Sequence, residues 1–224
     1  YTNIFGKNTQ VLINNLPNDS EIFWHVMAQN ECSNSEYSET WSFTTNSVPY
    51  AYSYKSKQGF VMFPLNNPND VIPVASSSIY SLDAATWANG NWYAASSKNL
   101  ITINTSTGAT TTIGYTGVSM QALSYDVQSN VMYGISYNKG TSYLYSINLT
   151  TAAATQIGAI GNAEFNSLAC SLDGVLYSIS IADDNLYSIN KTTGLGTIIG
   201  PLGFNAVNSQ DMEFDKITGV CYWL

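Results

Sequence analysis

The 224-residue chain has fifteen acidic side chains, seven Lys, one His and no Arg, for a formal net charge of −8. The seven Lys are scattered, which excludes a nucleic-acid binder, since that needs clustered cations to displace counterions; without Arg there is no bidentate clamp for phosphates or sugar acids. Hydrophobic residues make up 45%, enough for a core, while charged residues make up only 10% against about a quarter in average domains; polarity carried by Ser, Thr, Asn and Tyr suits short strands joined by tight turns.

Residues 1–45 read as one unit. Val11, Ile13 and Leu16 alternate up to the turn Pro17-Asn18-Asp19. Ile22, Trp24 and Val26 alternate next, with His25 on the opposite face, and after a polar loop Trp41–Thr45 forms a further strand. The run "LPNDSEIFWHVMAQNECSNSEYSETWSFTT" resembles the C-terminal half of a fibronectin type III domain, in which an aromatic-x-Val strand leads to a closing "WSFTT" strand. Its Asn-x-Cys and Trp-Ser-Phe-Thr-Thr flavour is similar to fibronectin-like modules of large exported surface proteins and adhesins of Bacteroidetes-type bacteria. That resemblance implies an incomplete β-sandwich and a secreted or cell-surface location.

Residues 46–49 read as a linker, and residues 50–224 repeat. Pieces at Tyr50–Tyr54, Gly59–Phe63 and Val71–Ala75 look like the outer part of a degenerate copy. Clear copies run over 84–114, 120–161 and 165–203, and "QDMEFDKITGVCYWL" opens another. Gly114, Gly158 and Gly200 are 44 and 42 residues apart, as are Ile103, Ile147 and Ile189. A period in the low forties with four short strands per copy is the signature of β-propeller blades. In the 165–203 copy the strands are predicted over Ser167–Leu172, Val175–Ser180, Asn185–Asn190 and Gly196–Ile199, with turns at Asp173-Gly174, Asp183-Asp184 and Thr192-Thr193-Gly194. The repeats resemble secreted bacterial propellers whose blades read "D-G-x-L-Y-x-I…L-Y-x-I-D-x-x-T-G". The fold class expected is therefore all-β: a partial fibronectin type III-like sandwich, then four-stranded propeller blades. Three full copies and two partial ones leave strands unpaired. Both ends read as interior sequence, so further blades or domains of the same parent are expected. No signal peptide opens the chain, which under that expectation says nothing about export, and no apolar run is long enough to span a bilayer.

Catalytic constellations are sparse. His25 is the only His, with no nucleophile near it in sequence, so it reads as a solvent-facing strand residue and no catalytic residue is assigned. Asp126, Asp173 and Asp215 each follow the first strand of a copy, where Asn89 stands in the earliest one. A ring of such carboxylates is the one way the chain could bind Ca2+, against the plainer reading that each caps its turn. Asp211, Glu213 and Asp215 alternate on one strand face, where other copies carry Ala122 and Ser124 or Ala169 and Ser171. This departure marks Asp211 and Glu213 as candidates for ligand binding, or for a general acid and base. Trp87 stands where those copies have Ser124 and Ser171, and an exposed Trp there could stack on a sugar or anchor a protein. Trp92 and Tyr93 read as packing between blades.

Asn104, Asn148 and Asn190 open sequons but also belong to the recurrent third turn. Cys170 and Cys221 lie in apolar strand patterns and read as buried thiols, with a disulfide as the rival; Cys32 lies in a polar loop. Together these features describe a non-catalytic adhesion or ligand-binding module, its partner a surface glycan or protein. The rival readings are a polysaccharide lyase or glycoside hydrolase on a propeller, and a structural spacer.

Overall fold

Short alternating segments punctuated by Gly, Asn and Asp favour strands and hairpins, and every regular element among the described residues is a strand. The computed structural model describes residues 16–17, 20–29, 32–45, 50–55, 59–75, 82–207 and 210–223. The chain divides into two compact units: Tyr1–Tyr50 with Pro64–Asn66, and Ala51–Phe63 with Asn67–Leu224. The expected linker 46–49 and the strand expected around Val11 and Ile13 lie outside the described residues.

In the first unit, β1 (Glu21–Trp24) pairs antiparallel with β2 (Trp41–Thr44). Ile22 faces Phe43, and Trp24 faces Trp41 with ring centroids 4.7 Å apart. Ser35 and Ser38 hydroxyls accept the Ala28 and Val26 amides at 2.9 and 3.0 Å, which shapes the connection between the strands. Trp24, Val26, Trp41 and Phe43 are all exposed. A sandwich buries such a face under a second sheet about 10 Å away; among the described residues this unit has one two-stranded sheet, so the expected fibronectin-type sandwich is not assembled there.

The second unit repeats one design. A three-stranded sheet comprises β3 (Tyr50–Lys55), β4 (Gly59–Pro64) and β5 (Ile72–Ala75). Three four-stranded meanders follow. The first is β6 (Ala84–Ala88), β7 (Asn91–Ser96), β8 (Asn99–Ile103) and β9 (Thr110–Tyr115). The second is β10 (Ala122–Asp126), β11 (Val131–Asn138), β12 (Thr141–Ile147) and β13 (Ala154–Gly161). The third is β14 (Ala169–Cys170), β15 (Leu176–Ser180), β16 (Asn185–Ile189) and β17 (Gly196–Pro201). A pair, β18 (Met212–Phe214) and β19 (Cys221–Trp223), comes last. First strands pack on first strands, β6 on β10, β10 on β14 and β14 on β18. Four sheets of three or four strands are thus arranged as a β-propeller-like ring. The first strands are rich in Ala and Ser because space narrows toward the centre.

Apolar residues alternate between the two faces of each sheet and fill the gaps between neighbours. Leu100, Met120, Leu123 and Met132 form one such layer, Ile135, Leu144, Leu168 and Leu176 the next. Each side chain of this size contributes about 1.5–3 kcal/mol when fully buried. Tyr93 sits in the first layer and Trp92 in the layer around Phe60.

The third turn recurs without variation in mechanism. Asn104, Asn148 and Asn190 each accept two backbone amides on their side-chain oxygen, at 2.8–3.0 Å. Each turn closes on a residue with positive φ, Gly108, Ala152 or Gly194. That residue lies against the outer strand of the preceding sheet: Gly108 on Ala75, Ala152 on Gly114, Gly194 on Gly158.

One expectation needs correction. Tyr93, Tyr133, Tyr177 and Tyr222 face Thr86, Ser124, Ala169 and Glu213 across the first hairpin. The structural counterpart of Ser124 is therefore Thr86, not Trp87, and the third copy supplies Ala169, not Ser171. The turns between first and second strands differ in length, so aligning copies on Asn89, Asp126, Asp173 and Asp215 slips the register, and a slip of one reverses the face.

Candidate functional site

The segments that lead into the first strands converge on a cavity of about 660 Å³. Leu82–Ala85, Ser119–Gln121, Glu164 with Asn166, and Gln210 with Asp211 come from successive sheets, and Tyr52–Tyr54 of β3, Phe63 and Trp92 complete the wall. Propeller-like geometry explains the convergence, because each chain crosses from an outer strand back to the next inner strand on the same side. Its polar groups include three carboxylates, Asp83, Glu164 and Asp211, and three amides, Gln121, Asn166 and Gln210, beside the hydroxyls of Ser53 and Ser119. No cation lines it.

Gln121 holds the centre of this arc. Its amide nitrogen donates to the Glu164 carboxylate at 3.4 Å, which fixes the orientation of the amide. Its side-chain oxygen is buried and has no hydrogen-bond partner among the described residues. Burying an acceptor without a partner costs about 1–3 kcal/mol, so this oxygen is a ready acceptor for an incoming hydroxyl or amine. Asp211 keeps surface open to the cavity while protein atoms crowd its carboxyl. Desolvation raises its pKa to about 7; the Met212 amide, donating at 2.8 Å, opposes the shift, and the nearby Glu213 charge adds to it. The raised pKa favours the protonated carboxyl, which can donate as well as accept.

Glu213 lies one strand step further in and is not part of this cavity lining. Its Oε2 accepts the Thr86 hydroxyl at 2.8 Å and the Ser124 hydroxyl at 3.4 Å. Its Oε1 accepts Lys216 Nζ at 2.9 Å, and Lys216 donates also to the Cys170 carbonyl at 2.6 Å. This ion pair and its hydrogen bonds thus tie together four first strands, β6, β10, β14 and β18. Asp211 lies just before β18 and Glu213 within it, and they do not form an acid–base pair: one lines the cavity, the other is hydrogen-bonded to Thr86, Ser124 and Lys216.

The repeat aspartates are dispersed. Asp126 is fully buried and accepts Lys191 Nζ and the Ser129 hydroxyl at 2.7 and 2.6 Å, plus the Gln128 and Ser129 amides. Burial disfavours its charge, but Lys191, Ser129 and the two amides outweigh burial and hold its pKa at about 2. Asp173 accepts the Ser171 hydroxyl at 2.5 Å, and Asp215 accepts the Ile217 amide and Thr218 hydroxyl at 2.9 and 2.5 Å. Among the described residues no three His, Cys, Asp or Glu side chains are placed to hold one metal ion, so the carboxylate ring considered for Ca2+ is not assembled there.

Trp87 is 44% exposed but is not a free-standing platform, because its ring stacks on Tyr52 at 6.0 Å, and Tyr52 in turn tilts onto Trp92 at 5.4 Å. Tyr52 and Trp92, not Trp87, are the members of this row that line the cavity. His25 follows β1, exposed, 4.2 Å from the Tyr37 ring. Cys170 is buried, its pKa pushed to about 12 by desolvation first, whereas Cys221 is exposed, contrary to the apolar-strand expectation, and the two are not joined in a disulfide. Sequence reasoning missed Asp83, Gln121, Glu164, Asn166 and Gln210. Their signal was faint but present: each is a polar residue just ahead of a first strand.

Fold and cavity together define the class, a β-propeller-like all-β protein with a polar, acidic hollow at the mouth of the ring. No family model matches the chain, and no curated protein is similar to it. Solved structures are. A Bacteroides thetaiotaomicron structural-genomics protein of unknown function is 17% identical with a TM-score of 0.50, over 83% of this chain and 48% of that one. An auxiliary nutrient-binding protein from Bacteroides ovatus is 13% identical with a TM-score of 0.51, over 74% and 42%. A chain of a nidogen–laminin complex is 12% identical with a TM-score of 0.55, over 78% and 69%. At these identities the likeness is of fold alone. The chain spans less than half the length of either Bacteroides protein.

Proposed function

We propose that this chain is a non-catalytic ligand-binding module, exported or surface-exposed, that holds a neutral hydroxyl-rich ligand such as a saccharide unit at the mouth of the ring. The observation that carries the reading is the buried, unpartnered Gln121 oxygen beside Glu164 and Asp211. Paired carboxylates and amides over aromatic walls suit hydroxyl groups, which donate and accept at once. The carboxylates of the described wall and the net charge of −8 disfavour anionic ligands. The fold likeness to a nutrient-binding protein supports the same class and a surface location. Calorimetry of the intact chain against a panel of neutral and acidic oligosaccharides tests it. Binding of a neutral saccharide that Gln121→Ala weakens at least tenfold supports the reading; retention of full affinity in that variant sinks the site assignment.

One observation favours a second reading. Asp211 lines the cavity, and desolvation pushes its carboxyl up to about 7, the range of a general acid. On that reading the module acts on polysaccharides, and turnover disappears in Asp211→Asn. Binding without turnover in the wild type refutes it.

A further inference from the structure

The wall of the hollow is rich in acceptors. Gln121 spends its amide nitrogen on Glu164 Oε1 at 3.4 Å, which leaves its buried oxygen as the end of the amide still to be paired. Gln210 spends its amide nitrogen on the Val207 carbonyl at 3.1 Å. Asp83, Glu164 and Asp211 add carboxylates, which accept and, while ionised, cannot donate. Each of the three is held by a neutral donor: the Ser97 amide on Asp83 at 3.0 Å, Gln121 on Glu164, and the Met212 amide on Asp211 at 2.8 Å. The ion pairs of the described residues join Lys191 to Asp126 and Lys216 to Glu213, and neither carboxylate lines the hollow. Asp211 responds to this surplus of negative charge. Desolvation pushes its carboxyl up to about 7 and the Glu213 charge adds to the shift, the behaviour of an acid without a neighbouring cation.

A hydroxyl gives such a wall one donor and brings two lone pairs that need donors in return. A primary ammonium brings three donors, no acceptor and a positive charge. It matches a set of one amide oxygen and two carboxylates group for group. Tyr52 and Trp92, whose rings tilt together at 5.4 Å, add π faces to the same wall, and these attract cations further. The net charge of −8 draws a cationic ligand toward the molecule.

We infer that Gln121 Oε1 and the Glu164 and Asp211 carboxylates form an ammonium site, and that the saccharide preferred in the hollow is an amino sugar. This rests on the reading of the hollow as a saccharide site and names the class of sugar. A neutral ring makes the hydroxyl contacts and binds more weakly; an amine in place of one hydroxyl adds the charged contact.

Calorimetry of the intact chain at low salt compares cellotriose with the matching glucosamine trimer at about pH 6, where amines keep their proton. The two share ring and linkage and differ by an amine for a hydroxyl on each ring. The glucosamine trimer is expected to bind at least tenfold more tightly. Glu164→Gln and Asp211→Asn, each keeping an acceptor oxygen, should narrow that advantage to under threefold. Asp70→Asn, which removes one charge from the exposed surface outside the hollow, should leave it in place. Equal or weaker binding of the amino form overturns the inference. So does an advantage that survives both Glu164→Gln and Asp211→Asn, or one that Asp70→Asn reduces as much as they do. Cellotriose binding that Gln121→Ala weakens, with no amino advantage, overturns the ammonium site and leaves the saccharide reading standing. Binding of the amino form alone, lost in Glu164→Gln, supports the ammonium site and removes the neutral-saccharide reading; binding of neither trimer overturns both.

Discussion

Asp126 is fully buried, and its partner Lys191 comes from the turn between β16 and β17, so the pair staples two adjacent sheets. The folded pKa of about 2 against an ordinary 3.8 corresponds to about 2 kcal/mol of interaction favouring the ionised form. Because the folded pKa is depressed, this stabilisation is fully present above about pH 4 and is lost as pH falls through about 2. Asp126→Asn keeps the shape and removes the charge. Urea unfolding followed by Trp fluorescence should show the variant about 2 kcal/mol less stable at pH 7, the gap closing toward pH 2. Lys191→Met leaves the buried carboxylate uncompensated, so it should also destabilise at pH 7 and shift the acid limb to higher pH. Equal stability of wild type and Asp126→Asn at pH 7, or a gap independent of pH, would refute the reasoning.

Other expectations follow from the same structure. Gly158→Ala drives a methyl into the Thr193 carbonyl and should cost about 1–3 kcal/mol by thermal or chemical unfolding, whereas Gly200→Ala should stay within about 0.5 kcal/mol of wild type. Asp211 has a raised pKa, so its contribution to stability is greatest below about pH 4 and is lost as pH rises through about 7. Asp211→Asn should therefore match wild type at pH 4 and exceed it at pH 8, and a 13C titration should place the wild-type carboxyl midpoint near 7. Leu144, fully buried between two sheets, should cost about 2–5 kcal/mol on truncation to Ala, read as a lower urea midpoint with unchanged slope.

The repeat was legible in the sequence because local rules write it. Asn104, Asn148 and Asn190 cap their own turns, Gly108 and Gly194 supply positive φ, and period-two alternation sets which side chains enter the layers between sheets; none of this needs a distant partner. The same locality carried the four-strand blades of residues 84–201 and the turn-capping alternative for Asp126 and Asp215. What the alternation could not supply was register and neighbourhood. Trp87 and Ser124 look equivalent along the chain, but first hairpins of unequal length make Thr86 the true counterpart. Asp211 and Glu213 look like a pair, but the ring sends one into a hollow and the other to Thr86, Ser124 and Lys216, residues from three separate strands and turns. Gln121 and Glu164 are 43 positions apart in sequence and meet only because successive sheets bring their first strands to one axis. Local hydrogen bonding and hydrophobic period determine each blade, whereas the site depends on how blades stack around the ring, and only the tertiary structure decides that.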